Sequence, residues 1–156
     1  MTRDKAWVIT VPLIVLLGFA SGWSSNSGYG NPWFDELAKP SFMPPGWAFG
    51  LAWTILYILM GVAVAQVIAS EGPGRSLALA LFAVQLLLNL AWSPIFFGMH
   101  LVVAALIVIV LLTILVAITT RLFWTVRRSA GQLMLPYLAW LLFATVLNLS
   151  IAGLNY

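Results

Sequence analysis

Five long apolar runs set the pattern of the chain, at about residues 6–22, 47–69, 76–97, 101–124 and 130–154. Each is close to or above the roughly 20 residues that carry an α-helix across a bilayer. The runs are continuous, not segments of about ten residues of alternating polarity, which favours membrane helices over barrel strands. The breaks between them are informative. Ser70–Arg75 reads SEGPGR, a tight polar turn, and Gly98-Met99-His100 is shorter still, so the third and fourth spans form a hairpin. Thr125–Ser129 carries Arg127 and Arg128. The longest break, Ser24 to Gly46, is rich in Gly and Pro yet holds Trp33, Phe34 and Phe42, aromatic groups that let it fold down as a lid. The pattern predicts an all-α integral membrane protein. It is a five-transmembrane-helix bundle with a long lid loop between helices 1 and 2, in one domain over residues 1–156.

Composition supports this. Hydrophobic residues make up 63% and charged residues 7%, against roughly 25% charged in a soluble domain. Most of the surface must therefore face lipid. There is no cysteine, so disulfide and thiol chemistry are excluded, and a net charge of +3 is too sparse for a nucleic-acid footprint. The charge is unevenly placed. With five spans, one side carries Arg3, Lys5, Arg75, Arg127 and Arg128, with Arg121 close by, while the other has only Lys39. The positive-inside rule puts the N-terminus in the cytoplasm and the long loop and C-terminus outside, as in a bacterial cytoplasmic membrane. The first run also has the form of a signal peptide, with Arg3 and Lys5 as a basic flank and Ala20-Ser21-Gly22 as a small-residue site.

Polar residues inside spans are costly and normally face the bundle interior. Gln85, Asn89 and Ser93 are spaced four apart on the third span, beside a stripe of Trp92 and Phe96. Trp140, Ala144 and Asn148 share one face of the fifth span, and Trp53 and Tyr57 are four apart on the second. A large ring beside a small residue leaves room for a flat ligand. The same amides also serve as interhelical hydrogen-bonding glue in many membrane proteins. Trp7, Trp23, Trp47 and Trp124 sit near span ends and read as interfacial belt residues. Pro94 and Pro136 interrupt helix hydrogen bonding and either kink the packing or widen a pocket. His100 is the only histidine and sits in the shortest loop, so no metal-ligand cluster exists. No span carries His, Asp, Glu or Lys, which argues against hydrolases and ion-coupled pumps.

The motifs together resemble the TspO/MBR family (tryptophan-rich sensory proteins and translocator proteins, the peripheral-type benzodiazepine receptors). The lid reads Trp33-Phe34-Asp35-Glu36-Leu37-Ala38-Lys39-Pro40, then Pro40-Ser41-Phe42-Met43-Pro44-Pro45, similar to WYxxLxKP and PxWxPP. Ala52-Trp53-Thr54-Ile55-Leu56-Tyr57 resembles AWTxLY. Gln85-Leu86-Leu87-Leu88-Asn89 and Trp92-Ser93-Pro94-Ile95-Phe96-Phe97-Gly98 resemble the Q-x3-N and W[ST]P-x-FFG elements. Pro136-Tyr137-Leu138-Ala139-Trp140 is similar to PYxxW. The match runs over about residues 30–150.

The resemblance implies a homodimeric five-helix bundle that binds tetrapyrroles such as protoporphyrin IX or haem as ligands, without a required cofactor, and synthetic benzodiazepine- and isoquinoline-type ligands. It assigns pocket contacts to Trp53, Asn89, Trp140 and Ala144 and a lid contact to Trp33, and the residue pattern adds Phe34, Phe42, Tyr57, Gln85, Trp92, Phe96 and Asn148 as expected ligand contacts. It implies a membrane receptor or sensor that regulates or sequesters porphyrin. The alternatives are a light-dependent porphyrin-degrading enzyme using Trp53 and Trp140 as catalytic groups, or a tetrapyrrole or lipid carrier. Planar macrocycles stack on aromatic faces in apolar pockets with few polar groups, which agrees with the residues. Two departures bear on the photochemistry. Phe34 replaces a common Tyr and Phe42 a common Trp. The animal relatives' cholesterol motif is missing, with Leu149 in the Tyr position and no basic residue after it, although Arg121-Leu122-Phe123 with Val126 fits the loosened reverse pattern. Small residues at Ser76, Ala80 and Ala83 permit close helix approach, and Ala80 and Ala83 are the expected dimer contact, against an alternative contact within one protomer.

Overall fold

The computed structural model describes residues 5–156; Arg3, counted above toward the charge asymmetry, lies outside them. The described chain is helical, with no strand among the described residues. The elements are α1 (Trp7–Ser24), α2 (Pro32–Glu36), α3 (Gly46–Ala69), α4 (Arg75–Ser93), α5 (Val102–Val126) and α6 (Arg128–Asn155). A π-helical turn, Pro94–Gly98, extends α4. All but α2 are long and apolar enough to cross a membrane, so this is an integral membrane protein of five spans. Its outward faces are correspondingly apolar, with Leu16, Leu87 and Ile107 exposed, as a surface against hydrocarbon requires.

The spans agree with the apolar runs to within two residues at each end, and the connections differ more. The break expected over 125–129 shrinks to one residue, Arg127, held extended at φ −154° and ψ 118°. Gly131 explains it. A Cβ there would press on the Trp124 backbone, so glycine lets the first turn of α6 lie directly against α5. The lid is not all loop. Asn31 starts α2 by accepting hydrogen bonds from the N–H groups of Trp33 (3.1 Å) and Phe34 (3.4 Å), with Pro32 at the first helical position. At Pro94 the helix widens into the π-helical turn, a recurrent response to a lost backbone hydrogen bond. Pro136 stays inside a continuous α6, and Pro12 does the same in α1.

Small residues set the helix spacing. Thr10 donates to the Gly61 carbonyl at 2.7 Å, and a Cβ on Gly61 would collide with Val11. Gly18 lies directly under the ring of Tyr57. These contacts hold α1 close to α3. Ala80 and Ala83 are exposed on the outer face of α4, not in a contact within the protomer. The described Lys and Arg residues other than Lys39 gather at one end. Arg75 donates to the carbonyls of Val67 and Ile68 at the close of α3, and Ser129 at the start of α6 donates to Gln66 at 2.6 Å. The lid covers the opposite end.

Candidate functional site

Beneath the lid, α1, α3, α4, α5 and α6 enclose a cavity of about 400 Å³, within the range of small-molecule sites. No Asp, Glu, Lys, Arg or His lines it.

Its floor is a directional hydrogen-bond chain. The Tyr57 hydroxyl donates to Asn89 Oδ1 (2.9 Å), and Asn89 Nδ2 donates to the Tyr137 hydroxyl (2.7 Å). Tyr137 in turn donates to Gln85 Oε1 (2.7 Å), whose amide nitrogen points at the Met60 sulfur at 3.9 Å. Three helices are tied together by four polar side chains with almost no solvent exposure. Each hydroxyl and amide answers the next, so none carries the cost of an unpaired buried group. The spacing of four between Gln85 and Asn89 puts both on the α4 face that meets α3 and α6.

The walls are aromatic. Trp53 stacks on Tyr57 (centroids 5.4 Å, 29°) and meets Trp140 edge-on (6.3 Å, 84°). Trp92 stacks on Phe96 (4.9 Å, 25°) and donates its indole N–H to Asn148 Oδ1 at 3.1 Å. Asn148 is anchored by its own donation to the Val102 carbonyl, 3.1 Å. Ala144 sits one turn from both Trp140 and Asn148, and its small side chain leaves space before the rings. Trp140 Nε1 is buried and has no hydrogen-bond partner in the protein.

The lid closes the top through Phe34, which is 2% exposed and packs edge-on against Phe97 (5.1 Å) and Tyr29 (5.3 Å). Asn31 Nδ2 reaches the Phe97 carbonyl at 3.3 Å, sewing the lid to the π-helical turn. Lys39 is used internally. Its ammonium donates to the carbonyls of Phe34 (2.7 Å), Leu37 (3.0 Å) and Asp35 (3.3 Å) and lies 4.6 Å from the centre of the Phe34 ring. A cation there satisfies the carbonyl end of the short helix.

Of the residues assigned from sequence, Phe34, Trp53, Tyr57, Asn89, Trp92 and Phe96 line the cavity, as do Trp140, Ala144 and Asn148. Three do not. Trp33 lies outside it, stacked on His100 (4.3 Å, 10°), so this loop histidine is exposed but not isolated. Phe42 is exposed and leans on Phe143, 6.4 Å away. Gln85 lies behind the floor as the acceptor for Tyr137. Sequence reasoning missed the contribution of α1. Ser21 and Gly22 line the cavity, and Ser25 is bonded to Ser93 at 2.7 Å. The available signal was the pair Gly18 and Gly22, four apart on one face of the span. Phe49 and Met43 were also missed.

Residues 9–154 match a model described as the TspO/MBR family. The chain is 44% identical over 125 residues to protein CrtK of Rhodobacter capsulatus, covering 79% of this chain and 78% of that one. It is 40% identical over 153 residues to the tryptophan-rich protein TspO of Chlorobaculum tepidum, covering 95% and 97%. It is 41% identical over 124 residues to the human translocator protein, covering 78% and 73%.

Proposed function

The chain belongs to the TspO/MBR family, and from that premise we propose that it is a membrane receptor for tetrapyrroles such as protoporphyrin IX, held in the cavity beneath the lid. The observation that carries this reading is the cavity wall itself. Trp53, Trp92 and Trp140 surround one neutral space with two amides, Asn89 and Asn148, at its edge. Aromatic faces bind a planar macrocycle by stacking, and the few polar groups fix its orientation. With no Asp, Glu, Lys, Arg or His in the wall, binding and sequestration suit the site better than hydrolysis or proton-coupled transport. The same reading makes the protein a homodimer and puts its basic end in the cytoplasm.

One feature supports a second reading. Trp53 and Trp140 touch edge to face inside the cavity, so an electron-rich indole pair would border a bound, photoexcited porphyrin. Illumination that bleaches the Soret band only while both tryptophans are present would favour light-dependent degradation. A stable, red-shifted band would favour the receptor.

The deciding experiment is quenching of tryptophan fluorescence by protoporphyrin IX in detergent, comparing the native chain with Trp140→Phe and Asn89→Ala. Saturable quenching at micromolar concentration or below, weakened by either change, is expected. Non-saturating quenching that ignores both changes would mean the porphyrin partitions into the micelle, and the receptor reading would fall.

A further inference from the structure

The residues that line the cavity but remain exposed are Phe19, Ser27, Tyr29, Gly46 and Gly50. They share one place: the lid-proximal ends of α1 and α3 and the segment that leaves α1. Farther from the lid the two helices are in tight contact. There Thr10 bonds to Gly61, and a Cβ on Gly61 or Gly18 would overlap its neighbour. At Gly50 a Cβ would meet nothing within 4 Å. Phe19 and Gly50 line the cavity and are exposed, so it opens sideways between these ends of the two helices, while Tyr29 lies within 3.1 Å of a Cβ at Gly46 and the lid above is fastened through Asn31, Lys39 and Asn155.

The exposed tryptophans fix the depth of this gap. Trp23 ends α1 at 89% exposed and Trp47 begins α3 at 72% exposed. Indoles in such places mark the membrane–water boundary. Phe19 lies four residues deeper than Trp23, and Gly50 three residues deeper than Trp47. At 1.5 Å per residue that is about 4.5–6 Å inside the boundary, at the edge of the hydrocarbon.

We propose that the gap framed by Phe19 and Gly50 is a lateral portal, through which the cavity takes planar, largely apolar ligands dissolved in the bilayer rather than in water. The rim is graded to suit them. Phe19 and the bare backbone of Gly50 form the deep edge, and the hydroxyls of Ser27 and Tyr29 form the shallow one. A disc with an apolar body and polar substituents passes with its polar side toward the headgroups. Gly50 controls the rate of access, because a Cβ there meets nothing within 4 Å and a larger side chain can extend into the opening. The proposal rests on reading the cavity as a ligand site, but not on the ligand being a porphyrin.

The chain contains no cysteine, so Ala144→Cys places a single thiol in the cavity wall. Its labelling is followed in phosphatidylcholine nanodiscs with N-(1-pyrenyl)maleimide, which partitions into lipid, and with a charged sulfonatoethyl methanethiosulfonate. Each rate is normalised to Ser41→Cys on the exposed lid. The pyrenyl reagent should be favoured in the cavity. Adding Gly50→Leu should slow it about tenfold, Gly50→Ala should slow it less, and Phe19→Ala should speed it, with every variant eluting as a monodisperse species. No labelling of Ala144→Cys, equal normalised rates for the two reagents, or rates indifferent to both Gly50→Leu and Phe19→Ala would overturn the portal. Porphyrin is absent from this measurement. Failed porphyrin quenching beside portal-dependent labelling condemns the ligand assignment alone, and the converse result condemns the portal alone.

Discussion

Asn155, at the last turn of α6, pairs its side-chain amide with the backbone of Ala38 in the lid. The Ala38 N–H donates to Asn155 Oδ1 at 3.0 Å, and Asn155 Nδ2 donates to the Ala38 carbonyl at 2.9 Å. The two residues are 117 apart in sequence, and the amide mimics a strand partner for an otherwise unpaired peptide group. The C-terminal helix thereby latches the lid.

Removing that latch should free the lid without unfolding the bundle. Each hydrogen bond contributes about 0.5–1.5 kcal/mol net, so Asn155→Ala should raise hydrogen exchange at the Ala38 amide about tenfold or more. Amides in the middle of α6 should keep their protection. Unchanged exchange at Ala38 would show that aromatic packing by Phe34 alone holds the lid.

The directional chain under the cavity makes unequal demands on its two tyrosines. Tyr57→Phe removes the first donor and leaves only one acceptor, Asn89 Oδ1, short of a partner. Tyr137→Phe removes a middle link and strands both Asn89 Nδ2 and Gln85 Oε1. Thermal unfolding in detergent should show Tyr137→Phe costing about 1–2 kcal/mol and Tyr57→Phe under about 1 kcal/mol. Equal losses would count against a chain running in one direction.

The spans were legible because length and apolarity alone decide whether a helix suits a bilayer, and nothing in the tertiary structure competes with that. The inward placement of Gln85, Asn89 and Asn148 followed from the cost of leaving an amide in lipid. Other features depend on pairings that no local pattern carries. Gln85 and Asn89 lie on one stripe, yet only Asn89 reaches the cavity, because Gln85 lies one turn away, bonded to Tyr137, and neither of that pair lines the space. Trp33 belongs to the lid motif but turns outward onto His100, since Phe34 already fills the inward position. The share of α1 in the wall was hidden because glycines signal close approach without naming the partner.

Glycine positions give a contrast in one helix. A Cβ on Gly131 would come within 2.7 Å of the Trp124 Cα, which is backbone and cannot swing aside. Gly131→Ala should therefore cost about 1–3 kcal/mol from overpacking, despite alanine's better helix propensity. Gly153, with nothing within 4 Å of a Cβ, should accept alanine with no loss. Matched unfolding curves for the native chain and the two variants decide it.

Orientation is testable with single cysteines in the cysteine-free chain. Ser41 in the lid and Thr125 at the basic end are both exposed. If the basic end is cytoplasmic, an impermeant maleimide added to intact bacterial cells should label Ser41→Cys. Thr125→Cys should react only after the membrane is permeabilised. The opposite pattern would reverse the topology.

The outer face of α4 is where a second copy would fit. Ala80 and Ala83 are exposed there beside Val84 and Leu87, and small residues let two membrane helices approach closely. Dispersion between lipid and a flat alanine face is poor compared with contact against another helix. In a two-fold dimer a residue near the axis meets its own copy, and a disulfide forms only when the Cα atoms lie within about 4.4–6.8 Å. Oxidation of Ala83→Cys in native membranes should therefore give a covalent dimer in high yield. Ile114→Cys, equally outward but on α5, should stay monomeric. Ala83→Leu should shift the protein toward monomer in detergent while leaving the lid's exchange protection intact, since α4 meets the lid through Ser93 and its π-helical extension, more than two turns from Ala83. A crosslink at Ile114 and none at Ala83 would move the interface to α5 and leave the small residues of α4 facing lipid.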